Sequence, residues 1–514
     1  MVAILVSRML GLFRDMAIAN KFGQGALVSA YTVAFNLPDL LYFILSSGAL
    51  SSAFIPVFTE RFQTGRQKEA WQIFSTIACF MCLVLGATIL VCEVFTTPFV
   101  NLLAPGYRDN PSLTGLIVFL TRIILPCQLF FFLGGLMMGT LEARQNFKAR
   151  AAGPVIYNLG IIFGVIVLSR WFGIFGLAWG ALIGAFVGNV AFAFYHLRRE
   201  GYEFHPSLNL KHPGVKKVGA LALPVILGLS LPQIDVIINR MFATWIPGDF
   251  APAALNNANR LMQVPLGVFA QAAGTALLPT LAAFAAKNAI DDLRSAVSFG
   301  FRAVMALNVP ASVFMVTMAD PIIRTVFMGG AFKSGDVAHA SIALVFYCVG
   351  IFAWAGQAII ARGFFAMQDT LTPIILGSIV TLIFVPLNYV LMKVMGHGGL
   401  ALATSIAATI HLFGLLVLLR KRIDGIDGRR IAISSLRICA ASAVMAVVCI
   451  GTRAAMANVL EVETRKGAGL TVLVAMGLAT LVYGVMMKLL KAEEAIYIWD
   501  MVKRTVSRKP ADQL

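Results

Sequence analysis

The chain has few charged residues, and acidic residues are the scarcest among them. Asp and Glu together number 24 against 41 Lys and Arg, and charged residues make up 13% of the sequence. A soluble globular domain carries about 25% charged residues. Hydrophobic residues account for 59%, and the mean hydropathy is +0.84. The shortage of charge excludes an ordinary soluble domain and indicates a protein that crosses the membrane many times.

Several enzyme and metal motifs are also missing. No GxxxxGK[ST] loop is present to bind phosphates, so the chain is not itself an ATPase. HExxH and GxSxG are absent, and the six histidines are scattered. Among the seven cysteines the only close pair, Cys79 and Cys82, has no second ligand pair nearby, so we interpret the cysteines as packing residues. We therefore expect no catalytic centre.

Long apolar segments recur along the whole chain, each long enough to cross a hydrocarbon core of about 30 Å. They are expected to be helical, because a helix satisfies its backbone polar groups internally. The loops between them are short, so no soluble domain is predicted. The predicted fold class is an all-α polytopic membrane protein with about fourteen transmembrane helices. These lie near residues 2–20, 29–56, 73–101, 113–140, 151–170, 174–197, 217–245, 253–284, 296–318, 338–364, 372–394, 398–420, 432–451 and 468–490.

The net charge of +17 does not indicate nucleic-acid binding, because the basic residues lie in loops between spans rather than on one face of a domain. Their distribution indicates the orientation of the chain in the membrane instead. Lys and Arg crowd alternate loops, and the positive-inside rule then places both termini in the cytoplasm. The basic segments are Arg61, Arg66 and Lys68; Arg144, Lys148 and Arg150; Arg198, Arg199, Lys211, Lys216 and Lys217; Arg420, Lys421, Arg422, Arg429 and Arg430; and the tail from Lys503 to Lys509.

The sequence contains an internal duplication with an offset of 223 residues. Each copy holds six spans, so both copies enter the membrane from the same side and are related by an axis along the bilayer normal. The last two spans lie outside the duplication. The predicted domains are an N-lobe at 1–215, a C-lobe at 216–422, and a C-terminal helix pair with a cytoplasmic tail at 423–514. The matched positions are Pro56 and Pro279, Pro98 and Pro321, Gln145 and Gln368, and Gly176 and Gly399.

The segment SRMLGLFRD places three charged residues inside the first span. On a helix, Arg8, Gly11 and Asp15 follow the spacing i, i+3, i+7. Ser7, Gly11 and Arg14 follow i, i+4, i+7, so all of these residues flank one polar stripe. A charged side chain at the bilayer centre costs about 2.5 to 3.5 kcal/mol on insertion scales. The stripe should therefore face water or protein rather than lipid.

Transporters built from repeats place their substrate site between the repeats. Arg260, in NNANRLMQVP, gives the second lobe an intramembrane arginine of its own. A guanidinium group binds phosphate oxygens bidentately and stays charged when partly dehydrated, so converging arginines favour an anionic substrate. An alternative stays open, in which Arg14 and Asp15 form structural ion pairs with other spans and Arg8 extends to the cytoplasmic surface.

Five segments together resemble a known family: SRMLGLFRD, AFNLPDLL, GALSSAFIPVF, NRLMQVPLGVFAQAAGTALLPTL and FFAMQDTLTP. Over its first twelve spans the chain resembles the MurJ (MviN) lipid II flippases of the MOP exporter superfamily. The resemblance implies two MATE/MOP-like lobes, a central cationic cavity, and a C-terminal helix pair that forms a groove for the undecaprenyl tail. Substrate-handling positions of the family fall on Arg8, Arg14, Asp15 and Arg260.

The resemblance also implies the activity. Members of the family move lipid II, the lipid-linked peptidoglycan precursor, from the cytoplasmic to the periplasmic leaflet of the bacterial inner membrane. We therefore expect a lipid flippase that works by alternating access and is not an enzyme. Its expected partners are lipid II and the surrounding membrane lipids, with the cell-wall synthesis machinery as a further partner.

Some positions that are charged in the family are neutral in this sequence. The family's gating ion pairs therefore cannot be transferred to it residue by residue. The neutral positions are Ser29, Tyr42, Phe43, Ser47, Asn259 and Gln263.

Two other functions compete with lipid II translocation. The first is export of another polyprenyl-diphosphate-linked glycan, which the same arginines would serve; export of cationic drugs fits them poorly. The second is an envelope glycosyltransferase or polymerase, which should carry a catalytic carboxylate on a sizeable external loop. The external loops here are short, and Asp109, Asp249 and Asp336 are isolated acids.

The energy for transport must come from an ion gradient, the membrane potential or substrate flux, because the sequence has no nucleotide-binding motif. Asp235 lies within the seventh span, and a buried carboxylate there needs a partner. Asp369, at the start of the eleventh span, is one candidate neighbour. The family resemblance implies a sodium site around an aspartate of the seventh span, and oxygen ligands suit a hard cation. In the alternative interpretation, Asp235 pairs with Arg240 or with backbone donors. No other cofactor is expected.

Overall fold

The computed structural model describes residues 2–46 and 49–494, and within these ranges the chain is helical and contains no β-strand. Ser47 and the basic tail from Lys503 to Lys509 lie outside the described residues. Eleven helices in the described ranges are long and apolar enough to cross a membrane. The all-α polytopic membrane fold is thus confirmed. Helical segments underlie each of the fourteen predicted spans, and the number that cross the membrane stays a prediction.

The helices vary in type, because short π-helical turns interrupt several of the α-helical spans. The α-helices are Val2–Phe22, Ala26–Ala34, Asn36–Leu41, Ala49–Gln63, Gln67–Val94, Thr96–Leu103, Pro111–Ile124, Cys127–Ala143, Phe147–Phe163, Ser169–Phe172, Phe175–Ala185, Phe192–Arg199, Pro213–Ala243, Ala251–Pro265, Gln271–Ala286, Ile290–Thr317, Ala319–Phe327, Ser334–Val349, Ile351–Ala366, Leu371–Arg422, Gly428–Ala457 and Arg465–Leu489. The π-helices are Tyr42–Ser46, Gly164–Leu168, Phe186–Ala191 and Leu266–Ala270, and a 3-10 turn lies at Pro105–Tyr107.

Contacts divide the chain into two compact units. The first is Met1–Ala253 with Gly329–Lys333, and the second is Ala254–Met328 with Ser334–Leu514. This boundary lies further along the chain than residue 215, where the duplication divides the sequence. The difference arises because helix Pro213–Ala243 packs against helices of the first unit, above all Ala49–Gln63. The C-terminal helix pair belongs to the second unit.

The backbone at the duplicated glutamines has the same geometry in both copies. Gln145 and Gln368 both adopt a left-handed conformation, with φ values of 62° and 61°. The residue that follows each glutamine also makes an equivalent hydrogen bond: Asn146 N–H donates to the carbonyl of Leu141, and Asp369 N–H donates to that of Phe364. The offset of 223 residues therefore corresponds to a repeated turn as well as to a repeated sequence.

A second pair of turns, at Gly173 and Gly396, follows the same offset. Their φ and ψ angles are 54° and −133° at Gly173, and 58° and −135° at Gly396. Only glycine adopts this region without strain. Gly396 breaks the long segment Leu371–Arg422 into two helices. These two helices coincide with the predicted spans 372–394 and 398–420.

Close helix packing in the first unit depends on glycines that face each other. A Cβ atom at Gly160 would lie 2.4 Å from the Cα of Gly184, and one at Gly180 would lie 2.5 Å from the carbonyl oxygen of Gly160. Burial from water does not drive helices together inside a bilayer, so van der Waals contact between small residues has to do so. The backbones of helices Phe147–Phe163 and Phe175–Ala185 are therefore in direct contact, as they are in GxxxG helix pairs.

The C-terminal helices are anchored to the second unit by a buried charge cluster. Arg302 forms ion pairs with Glu493, at 2.9 Å, and with Glu494, whose side chain is only 1% exposed. The Ser434 hydroxyl also donates to Glu494, at 3.0 Å. The cluster joins helices Ile290–Thr317 and Gly428–Ala457 to the residues that follow Arg465–Leu489.

We expect Arg302→Met to reduce the free energy of unfolding by about 3 to 5 kcal/mol, because it strands a buried carboxylate without its cation. Thermal melting of the purified protein in detergent measures the effect. The matched control is Asp291→Asn, which removes a carboxylate that is 92% exposed beside Arg294 and should cost at most about 1 kcal/mol. Equal melting temperatures for the two variants would contradict the anchoring role.

Candidate substrate-binding site

The polar stripe predicted on the first helix is present, and its members differ in exposure. Arg8 is exposed on helix Val2–Phe22. The side chain of Arg14 is 12% exposed and that of Asp15 is 4% exposed. The stripe thus runs from an exposed arginine to a buried ion pair.

Arg14 is held by one charged and one neutral partner. Its Nε donates to Oδ1 of Asp15 at 2.9 Å, and its Nη2 lies 2.8 Å from the same oxygen. Its Nη1 donates to Oδ1 of Asn158 at 3.1 Å. A guanidinium has five N–H groups, and these contacts use at most three of them. The remaining N–H groups can therefore donate to a further oxyanion without displacing Asp15.

Asn158 is a site residue that the sequence analysis missed. Its Nδ2 donates to the carbonyls of Pro154, at 2.9 Å, and Ser7, at 3.4 Å, so its Oδ1 faces Arg14 as an acceptor. The side chain is buried, at 7% exposure. The available signal was a lone amide in an apolar span, PVIYNLGII, one turn after a proline whose ring cannot donate a backbone hydrogen bond.

A second ion pair in the first unit joins the helices Asn36–Leu41 and Pro213–Ala243. Arg240 Nη1 donates to Oδ2 of Asp39 at 2.8 Å, and the two side chains are 19% and 29% exposed. Arg240 therefore pairs with Asp39, whereas the sequence suggests Asp235 as its partner. Asp39, which lies in the segment AFNLPDLL, was not singled out, because one acid beside a proline has no distinguishing pattern.

The remaining predicted site residues are divided between the two units. Asp235 is half-buried in helix Pro213–Ala243 of the first unit. Arg260 is exposed on helix Ala251–Pro265, and it belongs to the second unit, as does Asp369. Among the predicted site residues, the structure brings Arg14 and Asp15 into direct contact and places Arg8 on the same helix.

Asp369 has a local structural role at the start of helix Leu371–Arg422. Its Oδ1 accepts from the Thr372 backbone N–H at 3.0 Å, and its Oδ2 accepts from the Thr372 hydroxyl at 2.7 Å. Burial raises the pKa of Asp369, but these hydrogen bonds, the charge of Arg422 and a hydrogen bond from the Leu371 backbone together lower it below the ordinary value. The carboxylate is thus ionised and engaged in capping. Within residues 2–46 and 49–494, no three His, Cys, Asp or Glu side chains form a metal-binding group.

The helical fold and the long apolar helices define a class, a polytopic membrane protein with the fold of the MOP superfamily. A solved structure titled as an inward-facing multidrug resistance MATE family transporter of that superfamily matches with a TM-score of 0.67 at 16% identity, over 81% of this chain and 94% of that one. The family model described as lipid II flippase MurJ matches residues 18–465. The chain belongs to the lipid II flippase MurJ family.

Individual relatives agree with this assignment. The lipid II flippase MurJ of Burkholderia cenocepacia is 30% identical over 429 residues, which cover 81% of this chain and 82% of that protein. A solved structure titled "Lipid II flippase MurJ, inward closed conformation" matches with a TM-score of 0.80 at 24% identity, over 98% of this chain and 99% of that one. The matched family segment includes Asp235, Arg260 and Asp369, and it begins after Asp15.

We expect the Asp39–Arg240 pair to tolerate reversal better than loss. Asp39→Asn leaves the partly buried Arg240 without its anion, and Arg240→Gln leaves Asp39 without its cation, so each should lower the melting temperature. The double variant Asp39→Arg with Arg240→Asp should recover at least half of the melting temperature that the single variants lose. A double variant less stable than either single variant would show that the two residues act separately.

Proposed function

We propose that this chain translocates lipid II from the cytoplasmic to the periplasmic leaflet of the bacterial inner membrane, as a secondary transporter that works by alternating access. Membership of the lipid II flippase family supports the substrate class. In this proposal both termini are cytoplasmic, as the distribution of Lys and Arg among the loops favours. Cell-wall synthesis enzymes that use the product are its expected partners.

The observation that supports the proposal most directly is the set of contacts that the Arg14 guanidinium makes. Asp15 compensates its charge, Asn158 fixes its orientation, and N–H groups remain for another acceptor. A preoriented guanidinium suits the diphosphate of a lipid-linked precursor, because two parallel N–H donors match two phosphate oxygens. In this proposal Arg8, on the same helix as Arg14, supplies further positive charge to the anion, and Arg260 serves substrate binding within the second unit.

An exporter of another polyprenyl-diphosphate-linked glycan is the second candidate, since it would present the same diphosphate to Arg14. The two candidates differ only in the glycan and peptide beyond the phosphates. An envelope glycosyltransferase has no comparable support, because the family to which the chain belongs is one of transporters.

We expect Arg14→Lys to weaken lipid II binding by about tenfold or more, because a lysine keeps the charge but loses the bidentate geometry. Binding to the purified protein measures the effect. Arg14→Ala could unfold the helix by stranding Asp15, so the matched neutral variant is Arg14→Gln with Asp15→Asn. This double variant should fold and should also bind weakly.

The control for this experiment is Arg198→Ala, which removes an arginine at the cytoplasmic end of helix Phe192–Arg199 that lies over the Phe194 ring. It should leave binding unchanged within about twofold, since only an exposed charge and its contact with the Phe194 ring are lost. Wild-type affinity in the Arg14→Lys protein would rule out bidentate recognition by Arg14.

We also propose that Asp235 binds sodium and couples the cycle to the sodium gradient, while Asp369 acts only as a helix cap. Replacing potassium by sodium should then raise the melting temperature of the wild type, because an ion that binds the folded state stabilises it. Asp235→Asn should abolish this rise. Asp369→Asn should lower melting equally in both salts and keep the rise.

An unchanged wild-type melting curve on exchange of the two cations would refute the sodium proposal. It would leave the membrane potential or substrate flux as the driving force, with the translocation proposal unaffected.

A further inference from the structure

A group of aromatic side chains in the first unit lies beside the charged residues, and its members are only partly buried. The rings of Tyr42 and Phe131 are 6.0 Å apart between centroids, and those of Phe131 and Tyr157 are 5.2 Å apart. Both pairs are edge-to-face, at 77° and 76°. These three residues, here called the ring cluster, form a continuous aromatic row.

Three separate helical elements supply the ring cluster. Tyr42 begins the π-helix Tyr42–Ser46, Phe131 lies in Cys127–Ala143, and Tyr157 lies in Phe147–Phe163. Tyr157 directly precedes Asn158, so the backbone that orients Arg14 also sets the position of this ring. π-helical turns occur frequently at functional sites, because the extra residue redirects the side chains.

The ring cluster adjoins both ion pairs of the first unit. Tyr157 directly precedes Asn158, which accepts a hydrogen bond from Arg14, and the backbone N–H of Tyr42 donates to the carbonyl of Asp39. Apolar ring faces, phenolic hydroxyl groups and a partly satisfied guanidinium therefore occur in one neighbourhood. This combination is typical of small-molecule sites, where aromatic walls supply contact area and a few polar groups fix orientation.

The ring cluster is more exposed than the fully buried aromatic residues of the same unit, although Phe131 and Tyr157 pack against its hydrophobic core. Phe54, Phe58, Trp71 and Phe74 are 0 to 2% exposed and fill space between helices. All three members of the ring cluster are only half-buried. Part of the surface of each residue thus stays accessible.

We propose that the ring cluster is the saccharide subsite of the transport site, and that it packs against the C–H face of the N-acetylated sugar attached to the diphosphate. A pyranose ring has an apolar face of C–H groups and a polar rim. Tyrosine matches both features, because its ring is apolar and its hydroxyl hydrogen-bonds. The inference rests on the proposed function, in which Arg14 binds the diphosphate next to this sugar.

The test compares three ligands that share one tail: undecaprenyl diphosphate, the undecaprenyl-diphosphate disaccharide without peptide, and lipid II. Tyr42→Ala and Tyr157→Ala should each weaken binding of the two sugar-bearing ligands by about three- to tenfold, the range for one aromatic contact. Binding of undecaprenyl diphosphate should change less than twofold. Tyr42→Phe keeps the ring and should retain most of the affinity.

Two controls separate this inference from the proposed function. Tyr195→Ala removes a tyrosine that lies under Arg199, in Phe192–Arg199, and it should not affect any of the ligands. Arg14→Lys should weaken all three ligands alike. If it leaves them unchanged while Tyr42→Ala is selective, the diphosphate role fails and the saccharide role stands.

Two results would overturn the saccharide subsite. Equal weakening of undecaprenyl diphosphate and the sugar-bearing ligands by Tyr42→Ala and Tyr157→Ala would mean that the rings only shape the phosphate site. Unchanged binding of every ligand by folded Tyr42→Ala and Tyr157→Ala proteins would mean that the rings serve packing alone.

Discussion

A guanidinium group inside a membrane protein has to be held by partners, and the contacts of Arg14 show how this requirement shapes the first unit. Asp15 neutralises the charge from the same helix, and Asn158 accepts a hydrogen bond from another helix. Asn158 is in turn fixed by the carbonyls of Ser7 and Pro154. A charge that would be unstable in lipid thus becomes a rigid donor that still has N–H groups to offer.

This arrangement depends on how closely the surrounding helices approach one another. Facing glycines bring helices Phe147–Phe163 and Phe175–Ala185 to backbone contact. The same helix, Phe147–Phe163, carries Asn158 and Tyr157 and packs against Val2–Phe22. Small residues on one face of a helix therefore position polar and aromatic residues on another, and the close packing limits their movement.

Helical periodicity predicted much of this structure. Apolar length located helical segments, and the spacing of Arg8, Arg14 and Asp15 placed them on one stripe, because both features depend only on positions along the chain. The offset of 223 residues identified the duplication, and the left-handed turns at Gln145 and Gln368 agree with it. Partners on other helices could not be predicted in the same way. Asn158 and Asp39 have no local pattern, and their roles depend on which helices become neighbours.

The central claim, that this chain moves lipid II across the bilayer by means of Arg14, is tested most directly in cells depleted of their own flippase. A lipid II-cleaving enzyme that cannot cross the inner membrane, supplied on its outer side, reports the fraction of lipid II in the outer leaflet. The account predicts that the wild-type chain restores cleavage and that Arg14→Lys, present at the same level in the membrane, does not. Lipid II that stays protected with the wild-type chain, or cleavage fully restored by Arg14→Lys, would contradict it.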